Sequence, residues 1–134
     1  FAIQLERDTQ SAFMIFQGQK DHEDEPVRKA QEFIESNYKE RTTVDQLAYM
    51  YALSRRSFER RFKKATNNTV TEYIQRVKIE AAKKELETGS KNVNEVMYEV
   101  GYVDIKAFRT TFKKITGLSP LEYRNKYNKL AMTA

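Results

Sequence analysis

Arg56, Glu59, Arg60 and Lys63 share one eight-residue window, and Lys106, Arg109, Thr110 and Lys113 share a second, fifty residues further on. Guanidinium and ammonium groups donate hydrogen bonds while staying charged, a carboxylate only accepts, and threonine offers a hydroxyl beside a methyl group. These are groups for matching a polar, anionic surface rather than for breaking bonds. The chain has no cysteine, which excludes a thiol nucleophile, a thiolate zinc site and a disulfide scaffold. Its one histidine, His22, stands beside Asp21, Glu23 and Asp24 in an acidic stretch, and one imidazole among exposed carboxylates is a weak transition-metal site. No phosphate-cradling glycine loop and no nucleophile with its base can be assembled. The expectation is a non-enzyme with no cofactor and no metal.

Helical spacing decides which side chains in each window face solvent. At about 100° per residue, Phe58, Phe62 and Ala65 share one face, and Arg56, Glu59, Arg60 and Lys63 fall on the other. Phe108, Phe112 and Ile115 repeat the inner face, with Lys106, Arg109, Thr110 and Lys113 opposite. A single basic helix face is ordinarily solvated surface, with Glu59 and Lys63 pairing at i,i+4. A second copy with the same core and charge argues for a shared ligand.

The windows sit inside a longer repeat. Residues 54–73 (SRRSFERRFKKATNNTVTEY) and 104–123 (DIKAFRTTFKKITGLSPLEY) align at a period of 50, matching Phe58, Phe62, Lys63, Lys64, Thr66, Glu72 and Tyr73 with Phe108, Phe112, Lys113, Lys114, Thr116, Glu122 and Tyr123. Helix-start signals recur in register. Thr42 with Asp45 and Asn92 with Glu95 read as caps followed by an acid; Ser54 and Asp104 are caps; Thr69 with Glu72 and Ser119 with Glu122 are capping boxes, the last with Pro120 at the first helical position. Each half is thus a short helix, a turn near residues 51–53 or 101–103, a second helix and the start of a third. That is a helix-turn-helix, whose second helix can enter a DNA major groove.

Between the halves, residues 70 to about 87 form the longest helix, closed by Gly89. Tyr73, Ile74, Val77, Ala81 and Leu86 are spaced for burial, and Arg76, Lys78, Lys83 and Lys84 for solvent. Its length of ~27 Å suits a rod joining two reading helices about one DNA turn, ~34 Å, apart. Pro26 opens an earlier helix to about Lys39, with Val27, Ala30, Ile34 and Tyr38 on one stripe. The closing helix, about 120–127, carries Leu121, Tyr123 and Tyr127 inward.

Charge is unevenly spread. Residues 1–40 sum to −4 and residues 41–134 to +9 within an overall +5. A cationic segment attracts a polyanion and releases counterions on binding it. An acidic protein tail or an anionic membrane would satisfy the charge equally well, but neither accounts for the paired caps. At 134 residues the chain suffices for one ordinary domain or two very small ones, and no apolar run approaches the ~20 residues needed to cross a bilayer. A cytoplasmic home is the default.

Residues 94–123 (NEVMYEVGYVDIKAFRTTFKKITGLSPLEY) resemble the signature of the AraC-type transcriptional regulators. The carriers are Gly101 and Tyr102 in the turn, the F-x-x-x-F-K-K run, then Gly117, Ser119, Pro120, Glu122, Tyr123 and Arg124. The resemblance spans roughly residues 26–128. It implies an all-α fold of seven helices, two helix-turn-helix units (about 43–66 and 93–116) joined by a long helix, and sequence-specific binding to adjacent major grooves of double-stranded DNA. It also implies a bacterial-type regulator or activator that recruits RNA polymerase and answers to a separate sensor domain with a small-molecule effector. Thr110 departs from the family's usual basic residue, the arginine being displaced to Arg109. Tyr51 stands where the second turn has Gly101, and a left-handed Tyr51 would cost ~1 kcal/mol or more.

In this reading Arg56, Arg60, Lys106 and Arg109 donate to guanine O6 and N7, Glu59 accepts from cytosine N4, and Thr110 meets a thymine methyl. Lys63, Lys113, Arg124 and the helix starts near Thr43 and Ser119 grip phosphates, with Lys126 and Lys129 within reach of them. A sequence-indifferent architectural binder and a protein-interaction module are the alternatives. Residues 1–25 lie outside the repeat: 1–5 and 13–16 read as short strands or buried segments, 21–25 as an acidic linker. The expectation is the end of a preceding domain, and residues 7–26 are similar to the junction in AraC-type regulators with an amidotransferase-related sensor domain.

Overall fold

Each helix begins where a side chain satisfies free N–H groups of its first turn. Asp24 caps α1 (Glu25–Ser36), Thr43 α2 (Val44–Met50), Ser54 α3 (Arg55–Thr66) and Thr69 α4 (Val70–Thr88). Asn92 caps α5 (Val93–Glu99), Asp104 α6 (Ile105–Thr116) and Ser119 α7 (Pro120–Tyr127). The structure, a computed structural model, describes residues 20–128. Among them the class is all-α, with seven helices and no strand. The segments expected at 1–5 and 13–16, the tail and Lys129 lie outside the described residues. No described helix is long and apolar enough to cross a membrane.

The chain forms two units. Described residues up to Asn37 join Arg41–Ile74 in the first, and Tyr38–Glu40 join residues 75–128 in the second. In the first, Val27, Ala30 and Ile34 of α1, Leu47 and Ala48 of α2, Phe58 and Phe62 of α3, and Val70 and Tyr73 of α4 are buried. Phe62 stacks edge-on against Phe58 at 5.7 Å and Tyr73 at 5.5 Å, a geometry that adds to area burial. In the second, Phe112 packs tilted against Phe108 at 5.8 Å and edge-on against Tyr123 at 5.4 Å. Around that pair lie Ile79, Ala82 and Leu86 of α4 and Val96, Met97 and Val100.

The repeat is deeper than its 50-residue period. Val27, Ala30 and Ile34 correspond to Ile79, Ala82 and Leu86, 52 residues on. Glu35, which accepts from the Tyr73 hydroxyl at 2.6 Å, corresponds to Glu87, which accepts from Tyr123. Burial, then the adjacent carboxylate, holds both phenols far above the ordinary tyrosine range. Each unit therefore has its own supporting helix, α1 in one and residues 75–88 of α4 in the other.

Several expectations are corrected. The cap of α2 is Thr43 rather than Thr42, because Gln46 closes a reciprocal box with it. The left-handed residue of the first turn is Ala52, φ 57°, and Tyr51 at φ −107° is unstrained. The reason is register. Leu53 N–H donates to Ala48 and Tyr102 N–H to Met97, so Gly101 corresponds to Ala52 and Val103 is an extra residue. Ala52 carries a cost of ~1 kcal/mol. Gly101 takes φ 93°, where an added Cβ would lie 2.6 Å from Lys78 Nζ and 2.7 Å from the Lys39 carbonyl, so no side chain fits there.

α1 stops at Ser36, so Tyr38 leaves its expected stripe and packs against the second core. Lys78 is not solvated: its ammonium donates to the carbonyls of Tyr38 at 2.5 Å and Val100 at 3.3 Å, and burial lowers its pKa. Lys83 is largely covered and pairs with Glu80 at 3.0 Å. Ile79 and Ala82 are buried where only Ala81 was expected, and Ala81 is half-buried.

Within the acidic stretch, Asp24 both caps α1 and grips α3, taking bonds from Arg61 Nε at 3.0 Å and Nη2 at 2.9 Å. His22 Nε2 lies 2.8 Å from the buried Gln31 amide oxygen. Burial alone would raise the Asp24 pKa, but the Arg61 hydrogen bond, the Val27 N–H and the Arg61 charge outweigh it and leave it below 3.8. A folded pKa below the unfolded value means stabilisation present above about pH 3.9 and lost as pH falls through the lowered value. Asp24→Asn keeps a capping side chain but loses the charge. It is expected to cost on the order of 1 kcal/mol at pH 7, with the difference from wild type shrinking as unfolding is repeated below pH 4.

Candidate nucleic-acid interface

Burying the phenylalanine face of α3 and α6 turns the opposite face outward. Arg56, Glu59, Arg60 and Lys63 are exposed on α3, and Lys106, Arg109, Thr110 and Lys113 on α6, all as expected from spacing. Partners divide the α3 arginines into two kinds. Arg61 is held by Asp24, and Arg55 by Asp45 at 3.2 Å and Glu59 at 2.7 Å. Arg56 and Arg60 form no ion pair among the described residues, nor do Lys106, Arg109 and Lys113. Five cations are thus left open on the two repeated faces.

Each reading face borders an open groove. The first is lined by Val44 at the start of α2, by Arg55, Arg56, Glu59, Arg60 and Lys63, and by residues 69–71. The second repeats the arrangement on a smaller scale, with residues 92–94, Arg109 and residues 119–121. Two helix N-termini therefore flank each recognition helix, bringing positive dipole ends beside its cations. The N–H groups of Thr43 and Ser119 are already used, donating to Gln46 at 2.8 Å and Glu122 at 2.9 Å. Val44, Asp45 and Leu121 N–H lie next along those turns and have no backbone or side-chain acceptor among the described residues. Glu122 is held below its usual range by the Ser119 N–H first, then its side chain, with the Lys113 charge contributing.

Three nominated residues have neighbours that spacing did not indicate. Glu59 pairs with Arg55 rather than with Lys63, whose ammonium turns to the Asn67 carbonyl at 3.3 Å. Arg124 is half-buried and donates to the Lys91 carbonyl. Spacing alone does not single out Arg55 or Asp45. Arg55 stands four residues before Glu59, the less favourable order for an i,i+4 pair, so spacing alone favours Lys63, and the approach of α2 with Asp45 brings in Arg55 instead.

Two units built as helix, turn, exposed basic helix and capped third helix define a tandem helix-turn-helix protein. A family description, "Helix-turn-helix domain", matches residues 47–126. The chain is 37% identical over 102 residues to an uncharacterized HTH-type transcriptional regulator of Pseudoalteromonas carrageenovora, covering 76% of this chain and 60% of that one. It is 38% identical over 93 residues to the bifunctional transcriptional activator/DNA repair enzyme AdaA of Bacillus subtilis, covering 69% and 44%. The DNA-binding domain of the global transcriptional factor AdpA, solved with a target DNA, superposes with a TM-score of 0.73 at 29% identity, covering 76% of this chain and 92% of that one. The chain belongs to the AraC-type helix-turn-helix family, and it is a DNA-binding domain of the transcription-regulator class. It spans less than two thirds of the length of the two curated relatives.

Proposed function

We propose that α3 and α6 read two successive major-groove segments of duplex DNA, with roles divided by side chain. Arg56 and Arg60 in one segment, and Lys106 and Arg109 in the other, donate to guanine O6 and N7; Glu59 accepts from cytosine N4, and Thr110 meets a thymine methyl. Lys63, Lys113 and Arg124 hold phosphates, as do the helix starts capped by Thr43 and Ser119, through the next N–H groups along. The supporting observation is that Arg56 and Arg60 line the first groove and Arg109 the second, each without an ion pair among the described residues and beside capped helix starts. The two faces differ in sequence, so the site is asymmetric. Selection of bound duplexes from a random pool tests this reading. An asymmetric consensus is expected, and a pool retained without any consensus would leave only an architectural binder.

Lys113→Ala is expected to weaken every duplex alike and to reduce the slope of log affinity against log salt by about one. Titrations at several salt concentrations on specific and random duplexes check it. We further propose that the domain acts in the cytoplasm as part of a longer regulator, in which a sensor domain related to amidotransferases gates recruitment of RNA polymerase. Co-purification of polymerase with the full-length regulator on its operator tests that wider role.

A further inference from the structure

One exposed cluster in the first groove has no counterpart in the second. Arg55 uses two edges of its guanidinium: Nε donates to Glu59 Oε1 at 2.7 Å, and Nη1 to Asp45 on α2 at 3.2 Å. Its pKa is raised, by the Glu59 hydrogen bond first and by the Asp45 charge next. Glu59 Oε2 has no hydrogen bond among the described residues. Arg55, Glu59, Arg56 and Arg60 line the same groove. The positions equivalent to Asp45, Arg55 and Glu59 in the second unit are Asn94, Ile105 and Arg109, which form no such network.

The second unit is thus an internal control. It builds the same helices, caps and stacked aromatics without these ion pairs, so the fold does not require them. Exposed ion pairs also contribute little to stability. An unrestrained glutamate on a DNA-facing helix would, however, be repelled by phosphates and lose side-chain entropy on docking. A guanidinium bonded to one carboxylate oxygen and anchored to a neighbouring helix offsets both effects and leaves the other oxygen as a fixed acceptor.

We propose that Arg55 is a positioning residue for base reading: anchored by Asp45, it holds Glu59 so that the first half-site requires a cytosine amino group, whereas the second, with Arg109 at that position, requires a guanine. This rests on the major-groove reading proposed above. Arg55 touches no base in this scheme and acts only through Glu59.

The test is selection from a random duplex pool, followed by titration of single-base variants of the consensus, with Arg55→Ala, Asp45→Asn, Glu59→Ala and the Arg55→Ala/Glu59→Ala pair. Circular dichroism checks that each variant is folded. Arg55→Ala is expected to reduce cytosine preference about fivefold or more at one base pair. Glu59→Ala should affect the same pair, Asp45→Asn should affect it less, and the double variant should lose no more than Glu59→Ala alone. The salt slope should stay unchanged. Uniform weakening with a flatter slope would make Arg55 a phosphate contact and overturn the proposal, as would an Arg55→Ala consensus identical to wild type. Wild-type protein selecting no consensus would sink the underlying reading instead, before any variant is compared.

Discussion

Phe112→Ala is expected to remove about 3–5 kcal/mol from the second unit, the range for truncating a buried aromatic. The ring is fully buried between Phe108 and Tyr123, among Val96, Met97 and Leu86. Helices of twelve and eight residues, α6 and α7, are too short to persist in water without such packing. A small domain has only about 5–15 kcal/mol in all, so the loss should broaden or abolish the cooperative unfolding of this unit. Phe62→Ala should do the same to the first unit, where Phe62 lies between Phe58 and Tyr73. Leu121→Ala, at a side chain 58% exposed, should change stability little. Urea unfolding followed by aromatic and backbone signals measures all three. A cost below about 1 kcal/mol for Phe112→Ala would mean that its ring is not the centre of the core.

Arg60→Ala carries the largest expected effect on binding. Its guanidinium is exposed and has no ion pair among the described residues, while its neighbour Arg61 is committed to Asp24. A bidentate arginine–guanine contact contributes about 1–3 kcal/mol of discrimination. The variant should therefore bind the selected duplex about 5- to 150-fold more weakly and lose preference at one base pair. Arg61→Ala should instead lower stability, because it strands Asp24. Competition titrations with single-base variants separate the outcomes. An Arg60→Ala loss spread evenly over all sequences would assign it to a phosphate.

Most of the architecture is legible in the sequence because the features that set it are local. Caps such as Ser54, Asp104 and Ser119 act within three residues, and the spacing of Phe58 with Phe62 and Phe108 with Phe112 fixes which face of each helix is buried. The exposed reading faces follow by exclusion. What escaped depends on partners distant in sequence. Lys78 looks solvated on a helical wheel, yet carbonyls 40 and 22 residues away accept hydrogen bonds from its ammonium. The match between α1 and the latter part of α4 is hidden because intervening turns shift the offset from 50 to 52, with Val103 one of the changes. Arg55 does not stand out because helical spacing offers Glu59 three basic neighbours, Arg55, Arg56 and Lys63, and only Asp45, ten residues from Arg55 in sequence, selects one.

Guanine N7 methylation interference on a selected duplex tests the central claim most directly, since N7 lies in the major groove. Two clusters of interfering guanines about one helical turn apart, with different flanking sequences, are the predicted result. Arg60→Ala should relieve interference at one guanine of one cluster and Arg109→Ala at one guanine of the other, leaving the guanines assigned to Arg56 and Lys106. Tight binding with no interfering guanine, or with a single cluster that both variants erase, would contradict reading by two separate helices.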